Sequence, residues 1–198
     1  MSSIRFTHLL CCAVLLLTCA VATAAQAAAG STAAFKVKLK GLDGKVYDVA
    51  TMRGEVVLVS FGATWCKPCE WELTALEELK EEYAKKPVRF LWVSVDTRQQ
   101  ASDDWVRQYA KARHLTMPVL RDPDFEAFGQ FSQRVRLPMV VFFDRAGALA
   151  ATRTGMSADP IEYKKHIRAR LDALLAAGSA GVPPAVSAPA RITDAVKP

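Results

Sequence analysis

The spacing of apolar and polar residues changes several times along this chain, and each change marks an element. EVVLVSFGA (55–63), VRFLWVSV (88–95) and LPMVVFFD (137–144) are nearly unbroken apolar runs, the pattern of strands covered on both faces. FKVKLKGLDGKVYDV (35–49) alternates apolar and basic residues around Asp43-Gly44, which predicts a β-hairpin. A second hairpin is predicted where LPMVVFFD meets ALAATRTG (148–155) across the turn Arg145-Ala146-Gly147. From Pro68, PCEWELTALEELKEEYAKK places Trp71, Leu73, Leu76, Leu79 and Tyr83 near helical spacing, with acids early and a proline suited to a first turn. SDDWVRQYAKARH (102–114) predicts a helix capped by Ser102 with Trp105, Tyr109 and Ala112 on one side. DPDFEAFGQF (122–131) predicts another short helix, with Phe125 and Phe128 in the core. A closing helix spans 159–178: Asp159 caps it, Pro160 takes its first position, Glu162 completes a capping box, and Ile161, Ile167, Leu171 and Leu174 line one face. Strand, helix, strand over 55–95 requires a parallel pair joined by a crossover helix. The expected class is therefore α/β: a central mixed sheet flanked by helices, with an N-terminal hairpin and an extra helix at 102–114.

The two ends of the chain differ from this pattern. Residues 1–27 carry one basic residue, Arg5, then an uncharged run from Leu9 to Ala25, then the small-residue patterns ATA and AQA. This is the form of a secretory signal cut after Ala24 or Ala27, with an uncleaved membrane anchor as the alternative. Residues 178–198, rich in Ala, Pro and Ser, have too little apolar surface to offset the entropy of ordering and read as a flexible tail. One globular domain, 35–177, lies between. The formal charge is +6, and its basic residues are spread in short groups such as KVKLK and KK. No basic helix with interleaved aromatics appears, so nucleic acid is not an expected partner.

The cysteines narrow the chemistry. Cys11, Cys12 and Cys19 lie in the N-terminal segment, so a processed chain keeps only Cys66 and Cys69. A structural zinc site needs four ligands, and only His114 and His166 remain to supply them. A staple closing a loop of two residues would add little stability. A reversible redox pair suits the location better. A cysteine at a helix N-terminus sits beside unpaired N–H groups and the positive end of the helix dipole, both of which stabilise a thiolate. Cys66 is then the nucleophile, and Cys69, one turn inside, resolves the mixed disulfide. C-x-x-C in a βαβ pattern is a strong redox signal, and an exported pair would work in an oxidising compartment.

FGATWCKPC, VSVDT (93–97), FEAFGQF, RLPMVVFFD and the DRAGAL turn resemble the thioredoxin-like superfamily, in particular its secreted TlpA, ResA and CcmG-like thiol-disulfide oxidoreductases. The likeness covers about 35–177, and the helix at 102–114 resembles the insertion that separates this group from plain thioredoxin. The resemblance implies a thioredoxin-like fold and a cis bond before Pro138, which would face the cysteines while the backbone of Leu137 pairs with a substrate segment. It also implies that Trp65 covers the disulfide. Asp96, at the end of the strand leaving the core, is the candidate for moving a proton to or from Cys69, with a cap for the following loop as the alternative; Thr97 stands about where the ResA-like pattern has a Glu, and Ser60 where thioredoxin has a buried Asp. Lys67 and Pro68 lie where substrate docks. Pro68 removes an N–H that could stabilise the Cys66 thiolate, while the charge of Lys67 is screened in water. Such a protein belongs toward the reducing end of a range from roughly −270 mV for thioredoxin to roughly −120 mV for DsbA. The resemblance further implies a monomer in the periplasm, or tethered at the membrane, without a cofactor. A membrane thiol relay of the DsbD or CcdA type would supply electrons, and oxidised exported proteins, such as apocytochrome c or a copper-centre protein, would receive them. Two other readings share the fold. A copper metallochaperone would use the same two thiolates as soft ligands, and a thiol peroxidase would need a Pro-x-x-x-Thr-x-x-Cys arrangement that the sequence lacks.

Overall fold

The computed structural model describes residues 35–157 and 159–178; the expected export signal (1–27) and the tail beyond Gly178 lie outside them. The hairpin forms from β1 (Lys38–Lys40) and β2 (Val46–Asp48), with Gly44 at φ 83° in its turn, a conformation that glycine adopts without a Cβ clash. β3 (Val56–Gly62), β4 (Val88–Ser94), β5 (Val119–Arg121), β6 (Met139–Phe143) and β7 (Leu149–Thr154) make a five-stranded sheet in the order β5-β4-β3-β6-β7. Parallel pairing joins β3 to β4 and β4 to β5, whereas β6 is antiparallel to both β3 and β7. The sheet is therefore mixed, as expected. Helices α1 (Lys67–Glu82), α2 (Asp103–Ala112) and α3 (Pro160–Gly178) complete the fold, and among the described residues no helix is long and apolar enough to cross a membrane.

The two-residue period of β3 divides the core. Val56 and Leu58 join Phe90, Trp92 and Phe142 in a cluster with Leu73, Leu76 and Leu79 of α1 and Tyr163, Ile167 and Leu171 of α3. Val57, Val59 and Phe61 join Leu91, Val93, Leu120, Phe128 and Val141 in a second cluster, which also contains both cysteines. All seven residues of β3 are buried, which explains their continuous apolar run. Each fully buried Leu or Phe contributes about 1.5–3 kcal/mol relative to an exposed one, so the central strands anchor the fold.

Four expectations need correction. Trp71 is 58% exposed, Trp105 54% and Ile161 72%. The buried face of α1 is Cys69, Glu72, Leu73, Ala75, Leu76 and Leu79; that of α2 is Val106, Tyr109 and Ala110, and that of α3 is Tyr163, Ile167 and Leu171. Each misplaced side chain lies one or two positions from its buried stripe, where a period of 3.6 leaves the face edge ambiguous. The helix expected over 122–131 reduces to one 3-10 turn, Phe128–Gln130. Asp122 accepts hydrogen bonds from the backbone N–H groups of Ala127 and Phe128, and Phe125 takes φ 58°, so the segment winds around a carboxylate instead. Phe128 is buried as expected. β5 was not expected: three residues after a proline carry too little pattern to mark a strand.

Ser102 caps α2 by accepting from the Trp105 N–H, and Asp159 accepts from the Ile161 N–H at the start of α3. Both caps supply acceptors for N–H groups that lack helical partners.

Candidate redox site

The segment between β3 and α1 brings the two cysteines to the end of a parallel pair. Strand β3 runs through Gly62, and Cys66 occupies the cap position of α1 with extended backbone (φ −84°, ψ 99°). Pro68 falls in the first turn, where its missing N–H would have had no helical partner. Cys66 and Cys69 form a disulfide, with Cα atoms 5.3 Å apart. Cys69 is fully buried, and Cys66 is the more exposed of the two at 5%. Trp65 beside it is 57% exposed, and Lys67 holds Glu70 across the first helical turn at 2.8 Å. Trp65, Lys67 and Pro68 are all exposed and border the pair in sequence.

The Leu137–Pro138 peptide bond is cis, as the resemblance implies. Pro138 is buried and immediately precedes β6. Its neighbours Leu137 and Met139 pack in the same buried cluster as Cys66 and Cys69, so residues far apart in sequence meet at one place. The Pro138 carbonyl accepts a hydrogen bond from Gly155 N–H at 2.7 Å, fixing this corner to the end of β7.

Asp96 is fully buried just past β4. Its carboxylate accepts from Thr64 N–H (2.9 Å), Thr64 Oγ1–H (2.8 Å) and Ser94 Oγ–H (2.8 Å). Arg121 donates to the same Ser94 oxygen and to the Ala101 carbonyl. The bonds of Asp96 thus go to the loop two residues ahead of Cys66, and the structure places it as an anchor of that loop.

A second buried acid, not singled out in the sequence, lies closer along the chain to Cys69. Glu72 is one helical turn further in α1, and its side chain is almost fully enclosed. It accepts from Ser60 Oγ–H at 2.6 Å and from Tyr163 Oη–H at 2.5 Å. Burial disfavours the carboxylate and raises its pKa to about 7; the two hydrogen bonds and the charge of Arg153 oppose the rise. The Tyr163 phenol is in turn pushed well above its ordinary range, by burial and by the adjacent carboxyl. A signal was present in the sequence: Glu72 sits at buried-face spacing between Cys69 and Leu76, where an acid has no solvation and needs partners. Its partner Ser60 occupies the strand position at which the resemblance implies an Asp. Among the described residues no group of three His, Cys, Asp or Glu side chains is arranged to hold a metal ion.

A family profile described as the AhpC/TSA family matches residues 31–152. The chain is 41% identical over 85 residues to thioredoxin-like protein YneN of Bacillus subtilis (strain 168), a match covering 42% of this chain and 48% of YneN. It is 32% identical over 140 residues to the thiol-disulfide oxidoreductase ResA of Geobacillus thermodenitrificans, covering 71% of this chain and 76% of that protein. The match to YneN therefore spans about half of that relative's length. Among solved structures, a thiol:disulfide interchange protein of the thioredoxin family from Chlorobium tepidum TLS superposes with a TM-score of 0.62 at 23% identity, over 75% of this chain and 99% of that one. The fold is thioredoxin-like.

Proposed function

Because this chain belongs to the AhpC/TSA family, and carries a Cys66–Cys69 disulfide at the mouth of a helix, we propose that it is a thiol-disulfide oxidoreductase that reduces disulfides of exported proteins. The position of Cys66 carries the reading. As the cap residue of α1 it receives the field of the helix N-terminus, which favours a thiolate at neutral pH. That thiolate attacks a substrate disulfide, joining Cys66 to one substrate sulfur and releasing the other. Cys69 then attacks Cys66, the Cys66–Cys69 bond forms, and the substrate leaves with two electrons and two protons. Glu72, buried one turn from Cys69 with a pKa of about 7, is the acid best placed to exchange a proton with Cys69 near neutrality. Asp96 serves as the positioning residue for the Thr64–Cys66 loop. Trp65, Lys67 and Pro68 form the docking rim, and Leu137 offers its backbone to an extended substrate segment beside Pro138.

The same reading extends to location and partners. Residues 1–27 direct export to the periplasm, or tether the chain there, and a membrane thiol relay of the DsbD or CcdA type re-reduces the monomeric protein. Its clients are oxidised exported proteins, with apocytochrome c and copper-centre proteins as the two classes to test. Replacing Cys69 by Ser should trap mixed disulfides between Cys66 and its clients, detectable by nonreducing electrophoresis, and replacing Cys66 by Ser should end all exchange. A Cys66→Ser protein that still reduced a model disulfide would overturn the mechanism.

A further inference from the structure

One buried donor beside the redox pair has no part in the chemistry described so far. Trp92 lies in β4 with its side chain fully enclosed, and among the described residues its indole Nε1–H has no hydrogen-bond acceptor. Buried N–H groups are seldom left unpaired, because nothing replaces the water they have lost. Strand register explains where this one points. Trp92 stands opposite Ser60, and Gly62 opposite Ser94, in the parallel β3–β4 pair. A methyl group built on Gly62 would lie 2.8 Å from Trp92 Nε1 and 3.4 Å from both Cβ and Sγ of Cys69. The indole nitrogen and the Cys69 sulfur thus border the same small space over the Gly62 Cα, and any side chain at position 62 would fill it.

The indole is held from its other side by α2. The Tyr109 ring stacks on it, with centroids 5.6 Å apart and planes 20° from parallel. Arg113 lies over Tyr109, 3.9 Å from the ring centroid, and pairs with Glu70, which also holds Lys67. The inserted helix therefore braces the tryptophan and ties that brace back to the first turn of α1, where the cysteines sit.

We propose that Trp92 is a redox-dependent hydrogen-bond donor: its Nε1–H has no acceptor in the disulfide form and donates to the Cys69 sulfur once the disulfide is opened. This rests on the reading of Cys69 as the resolving thiol. A disulfide sulfur is a weak acceptor, whereas a thiolate attracts an N–H strongly. Reduction breaks the Cys66–Cys69 bond, adds two electrons, and leaves on Cys69 a sulfur free to turn toward the space over Gly62. In the resolving step the Cys69 thiolate attacks Cys66, the Cys66–substrate bond breaks, and the departing substrate thiolate takes up a proton. The indole then loses its acceptor again. Trp92 consequently stabilises the dithiol form and opposes the reducing tendency conferred by Pro68. The other ionisable groups around Cys69 are Glu72 in its own helix, Asp96 acting through Thr64, and Tyr109, Arg113 and Glu70 in the brace. None of them accepts from Nε1.

The test is the indole 15N–1H spectrum of the protein, which shows one signal for each of its four tryptophans, with Trp92→Phe identifying the signal of interest. The Trp92 signal should move downfield on reduction and then follow the Cys69 titration between about pH 6 and about pH 10, including in Cys66→Ser, where Cys69 is the lone thiol of the pair. Trp92→Phe should move that titration about one pH unit higher. Above it, the variant's equilibrium with glutathione should shift about tenfold toward the disulfide, or about 30 mV for a two-electron couple. A Trp92 signal that is the same in oxidised and reduced protein, in a chain that forms its disulfide reversibly, would overturn the proposal while leaving the dithiol reading intact. A chain that forms no reversible disulfide would overturn both. If Trp92→Phe does not fold, single replacement of the exposed Trp65, Trp71 and Trp105 by Phe assigns the other three signals and leaves that of Trp92 by elimination.

Discussion

Replacing Glu72 by Gln should reverse part of the pH dependence of stability. Glu72 is enclosed between α1, β3 and α3, and burial raises its pKa from 4.5 to about 7. A folded-state value above the unfolded one means that between about pH 4.5 and about pH 7 the folded protein keeps a proton that the unfolded chain has lost. Stability falls with rising pH wherever the folded state binds more protons. The contribution of Glu72 is therefore fully present below its unfolded value and is lost as pH rises through about 7. At about 1.36 kcal/mol per pKa unit, the span amounts to roughly 3 kcal/mol. Gln has nearly the same shape and can hydrogen-bond the hydroxyls of Ser60 and Tyr163, but it has no proton to release. The two proteins should have similar stability near pH 5, and Glu72→Gln should be the more stable by roughly 2–3 kcal/mol at pH 8. Urea unfolding of the oxidised proteins at a series of pH values, followed by circular dichroism, gives the difference directly; other titrating groups cancel between the two. A difference that stays constant from pH 4.5 to pH 8 would refute the reasoning. It would mean that Ser60, Tyr163 and Arg153 keep the carboxylate ionised throughout.

Two further substitutions separate anchoring from chemistry. Asp96→Asn leaves one carbonyl oxygen to meet Thr64 N–H, Thr64 Oγ1–H and Ser94 Oγ–H; losing a hydrogen bond to a buried charge should lower unfolding stability by about 1.5–3 kcal/mol, and equal stability by chemical denaturation would remove Asp96 from its anchoring role. Pro138→Ala should slow reduction of a protein disulfide more than reduction of a small aromatic disulfide, since in the proposed docking only the former pairs with the Leu137 backbone; equal slowing in a paired turnover assay would count against a docking role.

Much of this architecture could be read directly because the decisive signals are local. The apolar runs of β3, β4 and β6 need no partner to identify them, and Ser102 and Asp159 announce their helices within four residues. W-C-K-P-C followed by helical spacing locates the redox pair, and Leu-Pro ahead of an apolar run locates the cis corner. What escaped notice depends on contacts across the fold. Glu72 reads as one more acid on an acid-rich helix until Ser60, 12 residues earlier, and Tyr163, 91 residues later, are brought against it. Trp71 and Trp105 fit the helical spacing of their apolar neighbours yet lie outside the buried stripes. The buried stripes of α1 and α2 are set by the sheet beneath them, and that sheet cannot be seen from the helix. Asp122 turned a predicted helix into a loop because its carboxylate offers the backbone N–H groups of Ala127 and Phe128 an alternative to helical bonding.

The exchange of roles between positions 60 and 72 has a mechanical consequence. In the pattern implied by thioredoxin, the buried acid belongs to the strand; here the strand contributes the hydroxyl of Ser60 and helix α1 contributes the carboxyl of Glu72. Side chains three apart on a helix have Cβ atoms about 5–6 Å from one another, so the spacing of Glu72 and Cys69 is set by α1 itself and persists if the helix shifts against the sheet. The spacing of Trp92 and Cys69 has the opposite character. It crosses from β4 to α1 over a residue without a side chain, Gly62, and depends on the brace formed by Tyr109 and Arg113.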